Sequence, residues 1–98
     1  MTAYVVITRE VTTNPDELAV YRQKAPVARE GHALTPVAFY GALQVLEGSP
    51  IEGAVILSFP TVEEARAWYD SPAYQEALAH RQAGCESRAF IVEGVDAK

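Results

Sequence analysis

Four stretches of this sequence carry apolar side chains on both of their faces. They are 3–9 (Ala3-Tyr4-Val5-Val6-Ile7-Thr8-Arg9), 36–46 (Pro36 to Leu46), 53–59 (Gly53-Ala54-Val55-Ile56-Leu57-Ser58-Phe59) and 88–95 (Arg88-Ala89-Phe90-Ile91-Val92-Glu93-Gly94-Val95). Their β-branched and aromatic content reads as strand. Side chains alternate across a strand, so Val55, Leu57 and Phe59 face one way while Ala54 and Ile56 face the other. In the first strand Val5 and Ile7 oppose Tyr4 and Val6. In the second Val37 and Phe39 oppose Ala38 and Tyr40, and in the last Phe90 and Val92 oppose Ile91. A sheet with helices on one face only should be polar on the other. At about 25 cal/mol per Å2, leaving this second face in water forgoes many kcal/mol. It also leaves an aggregation-prone patch. The chain has 98 residues, enough for one domain and too few for two ordinary ones. Its helices can cover one face. The pattern predicts a homodimer in which two sheets pack face to face about a two-fold axis.

Between the strands the period changes. Asn14-Pro15-Asp16-Glu17 opens a helix: Asn suits the N-cap, Pro the first helical position, and two acids the positive first turn. Leu18, Tyr21, Ala25 and Ala28 then recur at spacings of three and four. Pro26 falls inside that stripe and should kink or split the helix, because it lacks a backbone donor and crowds the preceding turn. Gly31 marks the stop. Gly41 suggests a bulge in the second strand, and Glu47-Gly48-Ser49-Pro50 a turn. Thr61 and Glu64 fit a capping box for a helix running to about Tyr69. Ser71 and Pro72 start another, which Gly84 ends. The order β-α-β-β-α-β, with the second α in two pieces, gives a ferredoxin-like α+β domain: one antiparallel sheet with helices on one face. It spans 1–98 as a single domain, with a core of 3–95.

Composition narrows the partners. Thirteen acidic against eight basic residues leave a net charge of −5, which argues against nucleic acid or an anionic membrane surface. No apolar run approaches the roughly 18 residues of a spanning helix. The start lacks the basic segment and cleavage site of a signal peptide, so a cytoplasmic location is expected. A lone cysteine and two histidines at no recognisable ligand spacing give no metal centre, and no cofactor motif is present.

Three segments carry a family resemblance: Leu46-Glu47-Gly48; Leu57-Ser58-Phe59-Pro60-Thr61; and Ala65-Arg66-Ala67-Trp68-Tyr69-Asp70-Ser71-Pro72-Ala73-Tyr74-Gln75 followed by Arg81. Across about residues 3–95 the chain resembles the bacterial "domain of unknown function 1330" family. The resemblance implies the ferredoxin-like subunit of the dimeric α+β barrel superfamily. It implies no chemistry, since relatives on this fold include cofactor-free monooxygenases, haem enzymes and isomerases. The sequence departs from the family at one place. Glu47-Gly48 is followed by Ser49-Pro50-Ile51-Glu52, without the aromatic residue that usually comes next.

Arg81 is the most informative polar residue. Tyr74, Ala77, Leu78, Arg81 and Cys85 follow helical spacing, which puts Arg81 on the inward stripe. A buried guanidinium needs a partner. That partner is the carboxylate or enolate of a small ligand, or a structural ion such as Glu47, unless the side chain snorkels to water. Glu47, at the end of the second strand, is a candidate general base or a turn carboxylate. Trp68, Tyr69 and Tyr74 lie close enough to line a cavity or to fill the corner between two helices. Tyr21 and Tyr40 are weaker cases of the same kind. His32, just past Gly31, is a candidate ligand-binding residue or a partner of the helix C-terminus; His80 should point away from the stripe. Cys85 reads as a small buried hydrophobe. The resulting expectation is a dimer that binds a small organic acid or aromatic ligand between sheet and helices. Arg81 and Glu47 would carry any cofactor-free proton-transfer or oxygenase chemistry. The competing expectation is a non-enzymatic dimer whose inward polar residues only hold the fold.

Overall fold

The structure is a computed structural model that describes residues 2–95. Met1 and residues 96–98, the ends of the expected 1–98 domain, lie outside the described residues. The elements are β1 (Ala3–Thr12), α1 (Pro15–Lys24), a 3-10 helix (Ala25–Arg29), β2 (Thr35–Phe39), β3 (Gly53–Phe59), α2 (Val62–Asp70), α3 (Pro72–Gly84) and β4 (Cys85–Glu93). The sheet order is β2-β3-β1-β4, with every neighbouring pair antiparallel. This is the ferredoxin-like α+β arrangement.

The helix starts follow their caps. Asn14 accepts a hydrogen bond from the Asp16 amide, Thr61 from the Glu64 amide, and Ser71 from the Tyr74 amide. Among the described residues only the Thr61 half of the capping box forms. Pro26 splits its helix as expected. The α-helical ladder ends at Lys24, and the chain tightens into the 3-10 turn that carries the proline. Gly31 follows with φ +82°, the left-handed conformation that glycine adopts without cost.

The second strand is shorter than its apolar run predicts. It ends at Phe39, because Tyr40 takes φ +54° and turns the chain away from the sheet. Residues 41–50 are exposed and irregular. The expected bulge at Gly41 is also displaced. The irregularity in register falls between Pro36 and Ala38, inside the part of the strand that does pair. The last strand begins at Cys85, directly after α3, three residues earlier than its composition suggests.

The core lies between the sheet and the helices. Val5, Ile7, Val55, Leu57 and Phe59 pack beneath Tyr21, Ala65, Trp68, Tyr74 and Leu78. Helices α1 and α3 pack closely. The Glu17 carboxylate meets His80 Nδ1 at 2.8 Å, so His80 does point away from the core. Across the sheet, Tyr4, Val6, Ala54 and Ile56 share the opposite face with Phe90 and Val92. Phe90 is 51 % exposed and Val92 47 %. Ile91, between them, packs on the core. No helix among the described residues is long and apolar enough to cross a membrane.

Candidate functional site

A cavity of about 400 Å3 opens between the first helical layer and strands β2 and β3. Its floor is Ile7, Val55 and Leu57, side chains that the alternation of β1 and β3 turns inward. Phe39 and Tyr40 close one side, where β2 ends and the chain bends. The roof comes from α1 and the 3-10 turn: Tyr21, Arg22, Ala25, Pro26 and Arg29. Trp68 and Tyr74 form the inner wall. Most of this lining is hydrocarbon, so the space suits an apolar body.

The inner wall is an aromatic cluster. The Trp68 and Tyr74 rings lie 4.0 Å apart between centroids, and Phe59 sits 5.5 Å behind Trp68. Tyr21 meets Tyr74 edge to face, with their hydroxyl oxygens 2.9 Å apart. Burial raises both phenol pKa values. For Tyr21 the neighbouring Tyr74 adds to the rise and Arg81 opposes it. For Tyr74, Arg81 and the hydrogen bond to Tyr21 pull the other way. Both therefore stay neutral at physiological pH, and one O–H donates to the other oxygen. The Trp68 indole N–H is buried with no hydrogen-bond partner. Such a donor normally finds an acceptor, so the indole N–H is an orphaned group closed off inside the aromatic cluster.

The rim is cationic. Arg29 lies over the Phe39 ring at 5.5 Å. Neither Arg22 nor Arg29 has a carboxylate within salt-bridge distance among the described residues. Arg9 lies over Tyr40 at 5.3 Å and is held by Glu52 at 3.3 Å. Glu52 in turn accepts from the Thr12 hydroxyl and amide, which hold its carboxyl below the ordinary value. This tie anchors the end of the 41–52 segment to β1 beside Tyr40.

The expected site residues divide. Trp68 and Tyr74 line the cavity. Arg81 is buried, 4 % exposed, as its helical spacing demands, but it borders a second cavity together with Tyr69. It reaches the first only indirectly, its guanidinium lying 5.8 Å from the centre of the Tyr21 ring. Glu47 is exposed in the irregular segment and lines neither cavity. It is not the ion partner of Arg81, because the early bend at Tyr40 ends the strand that was to carry it inward. His32 is partly buried; its amide donates to the Arg29 carbonyl at 3.1 Å, and it lines neither cavity. Cys85 is buried, its thiol donating to the Arg81 carbonyl at 3.3 Å. No group of three metal-ligating side chains occurs among the described residues. Arg22, Ala25 and Arg29 are spaced i, i+3, i+7, so helical spacing alone puts both arginines on one edge of the apolar stripe. Phe39 pairs with the inward-facing Val55.

A family model, the domain of unknown function 1330, matches residues 2–95. The chain belongs to this family. The chain shares its fold with solved structures at low identity. A protein of unknown function from Rhodopseudomonas palustris is 20 % identical, with a TM-score of 0.72, covering 98 % of this chain and 84 % of that one. A dimeric ferredoxin-like protein of unknown function from Thermobifida fusca is 17 % identical, with a TM-score of 0.65, covering 95 % and 91 %. SnoaB, a cofactor-independent oxygenase from Streptomyces nogalater, is 9 % identical, with a TM-score of 0.62, covering 98 % and 95 %. No curated protein matches the sequence.

Proposed function

We propose that this protein binds a small organic acid in the cavity between α1 and strands β2 and β3, its apolar body against Trp68 and Tyr74. The observation that carries the reading is a hydrocarbon-lined space of about 400 Å3 edged by two arginines that no carboxylate among the described residues neutralises. In a chain of net charge −5, such an unpaired cationic rim selects an anion over a neutral molecule of the same shape. Of the paired Tyr21 and Tyr74 hydroxyls, the one whose proton is not used within the pair supplies a donor to a carbonyl, enolate or carboxylate oxygen.

Thermal stability measured against matched acids and primary amides tests this. Ligand at 100 times its Kd adds about 2.7 kcal/mol to the stability of the fold. The acids should stabilise and the amides should not. A panel of six- to ten-carbon aromatic and aliphatic acids without effect would overturn the proposal.

Binding is favoured over catalysis by one feature. Among the described residues that line the cavity there is no carboxylate and no imidazole, and the phenols are too weakly acidic to act as bases at neutral pH. Proton transfer or oxygenation of the kind named for SnoaB would need Glu47 to reach the bound acid from its exposed position. We also infer a homodimer through the outer sheet face. The apolar surface of Tyr4, Val6, Ile56, Phe90 and Val92, and the dimeric ferredoxin-like neighbour, support it. A cytoplasmic setting accords with Cys85, which is buried and free.

A further inference from the structure

The second cavity, also about 400 Å3, lies where α3 turns into β4. It is bordered by Tyr69, Arg81, Gln82, Glu86, Ser87 and, deeper, Cys85. Its centre is a guanidinium in an unusual position. Arg81 is 4 % exposed, yet no carboxylate lies within salt-bridge distance among the described residues. Its Nη1 donates to Ser87 Oγ at 3.0 Å, and its buried Nε has no acceptor. The Tyr21 ring and the C-terminal end of α3 ease the charge. Neither replaces a counter-ion, and removing an ion from water costs several kcal/mol. The Nε is closed off, but a buried guanidinium that borders a cavity, with no protein anion beside it among the described residues, has the composition of an oxyanion site.

We propose that this cavity is a second site, independent of the aromatic one, which takes the oxyanion group of a small molecule on Arg81. Ser87 holds one arm of the guanidinium, fixing its plane for an incoming carboxylate or phosphate. Gln82 offers an amide donor at the entrance. Glu86 borders the cavity in β4, its side chain on the other face of the sheet by alternation, and its charge opposes a bound anion from there. Being exposed, it can be altered without disturbing the core.

Inorganic phosphate and acetate serve as the probes, titrated at ionic strength held constant with sodium chloride and read by thermal shift. Phosphate or acetate should raise Tm saturably above the chloride baseline. Preference for one over the other identifies the headgroup, since both are the same class of anion on the same cation. Glu86→Gln should tighten the apparent Kd about threefold or more, and Gln82→Glu should weaken it by a similar factor. Glu63→Gln, which removes an exposed charge at the start of α2 outside the cavity, should leave the Kd unchanged. Arg81→Gln should abolish the response. If that variant does not fold, the Glu86 and Gln82 pair still decides. The proposal fails if neither anion exceeds chloride. It also fails if Glu63→Gln shifts the Kd as much as Glu86→Gln, which would mark a general charge effect. Acids that occupy the aromatic cavity should bind the Glu86 and Gln82 variants unchanged, so failure here leaves the first site standing.

Discussion

The buried phenol pair gives the sharpest test of how the inner wall is held. Tyr74 is fully buried and Tyr21 nearly so, and their hydroxyls lie 2.9 Å apart. Tyr74→Phe removes one oxygen and strands the other. An unsatisfied buried hydroxyl costs about 1–3 kcal/mol, against about 1 kcal/mol for the net value of the bond itself. Taking the lower half of that range, the expected loss is about 1.5 kcal/mol. For a chain of this size that lowers Tm by roughly 6–12 °C. Tyr21→Phe should cost a similar amount. The double variant leaves no orphan and should cost about 1 kcal/mol, giving a coupling of about 2 kcal/mol. Urea unfolding at a fixed protomer concentration measures all four corners of the cycle. The slope must stay constant for the comparison to hold. Additivity of the two single losses to within about 0.5 kcal/mol would refute the pairing, since independent sites behave that way.

Alkaline pH should act on the same pair. Both phenols have a raised pKa in the folded state, so the stability they contribute is complete below the unfolded tyrosine value of about 10 and falls as pH rises beyond it. Ultraviolet titration should show Tyr21 and Tyr74 ionising only as the chain unfolds; the phenylalanine variants identify their share of the absorbance. Gly84→Ala should destabilise by about 1–3 kcal/mol in thermal or urea unfolding, because the new Cβ would lie 2.9 Å from Leu18 side-chain atoms and 3.0 Å from its backbone nitrogen, where α1 and α3 pack. Ile56→Asp on the outer sheet face should halve the mass seen by light scattering while leaving the circular dichroism of the fold. A wild-type mass of one chain at micromolar concentration would remove the dimer.

The fold was legible because several levels of the sequence agree. Asn14, Thr61 and Ser71 cap helices, Pro26 ends one, and the strand alternation puts Val55, Leu57 and Phe59 on a single face. The error fell on β2. Its apolar run continues to Leu46, but Tyr40 adopts a left-handed conformation that no residue-type pattern announces for a tyrosine. That bend carries Glu47 out to the surface, and the ion pair with Arg81 is lost with it. The inward positions of Arg81 and Tyr74 were legible from helical spacing alone, whereas Trp68 stood out only as one of three aromatics close together. The arginine rim was passed over, because charged residues flanking an apolar stripe read as a solvated edge, although Arg22 and Arg29 share the side of Ala25 by their spacing.

The central claim is that the aromatic cavity holds an acid, and the protein carries its own reporter for it. Trp68 is the sole tryptophan and lines that cavity. Titration with non-absorbing six- to ten-carbon carboxylates, followed by its fluorescence, should give a saturable change. The corresponding amides should bind at least tenfold more weakly, a difference of about 1.4 kcal/mol. Arg22→Gln combined with Arg29→Gln should abolish that preference. Acids and amides that bind equally, or an emission spectrum that no acid in the panel changes, would contradict the account.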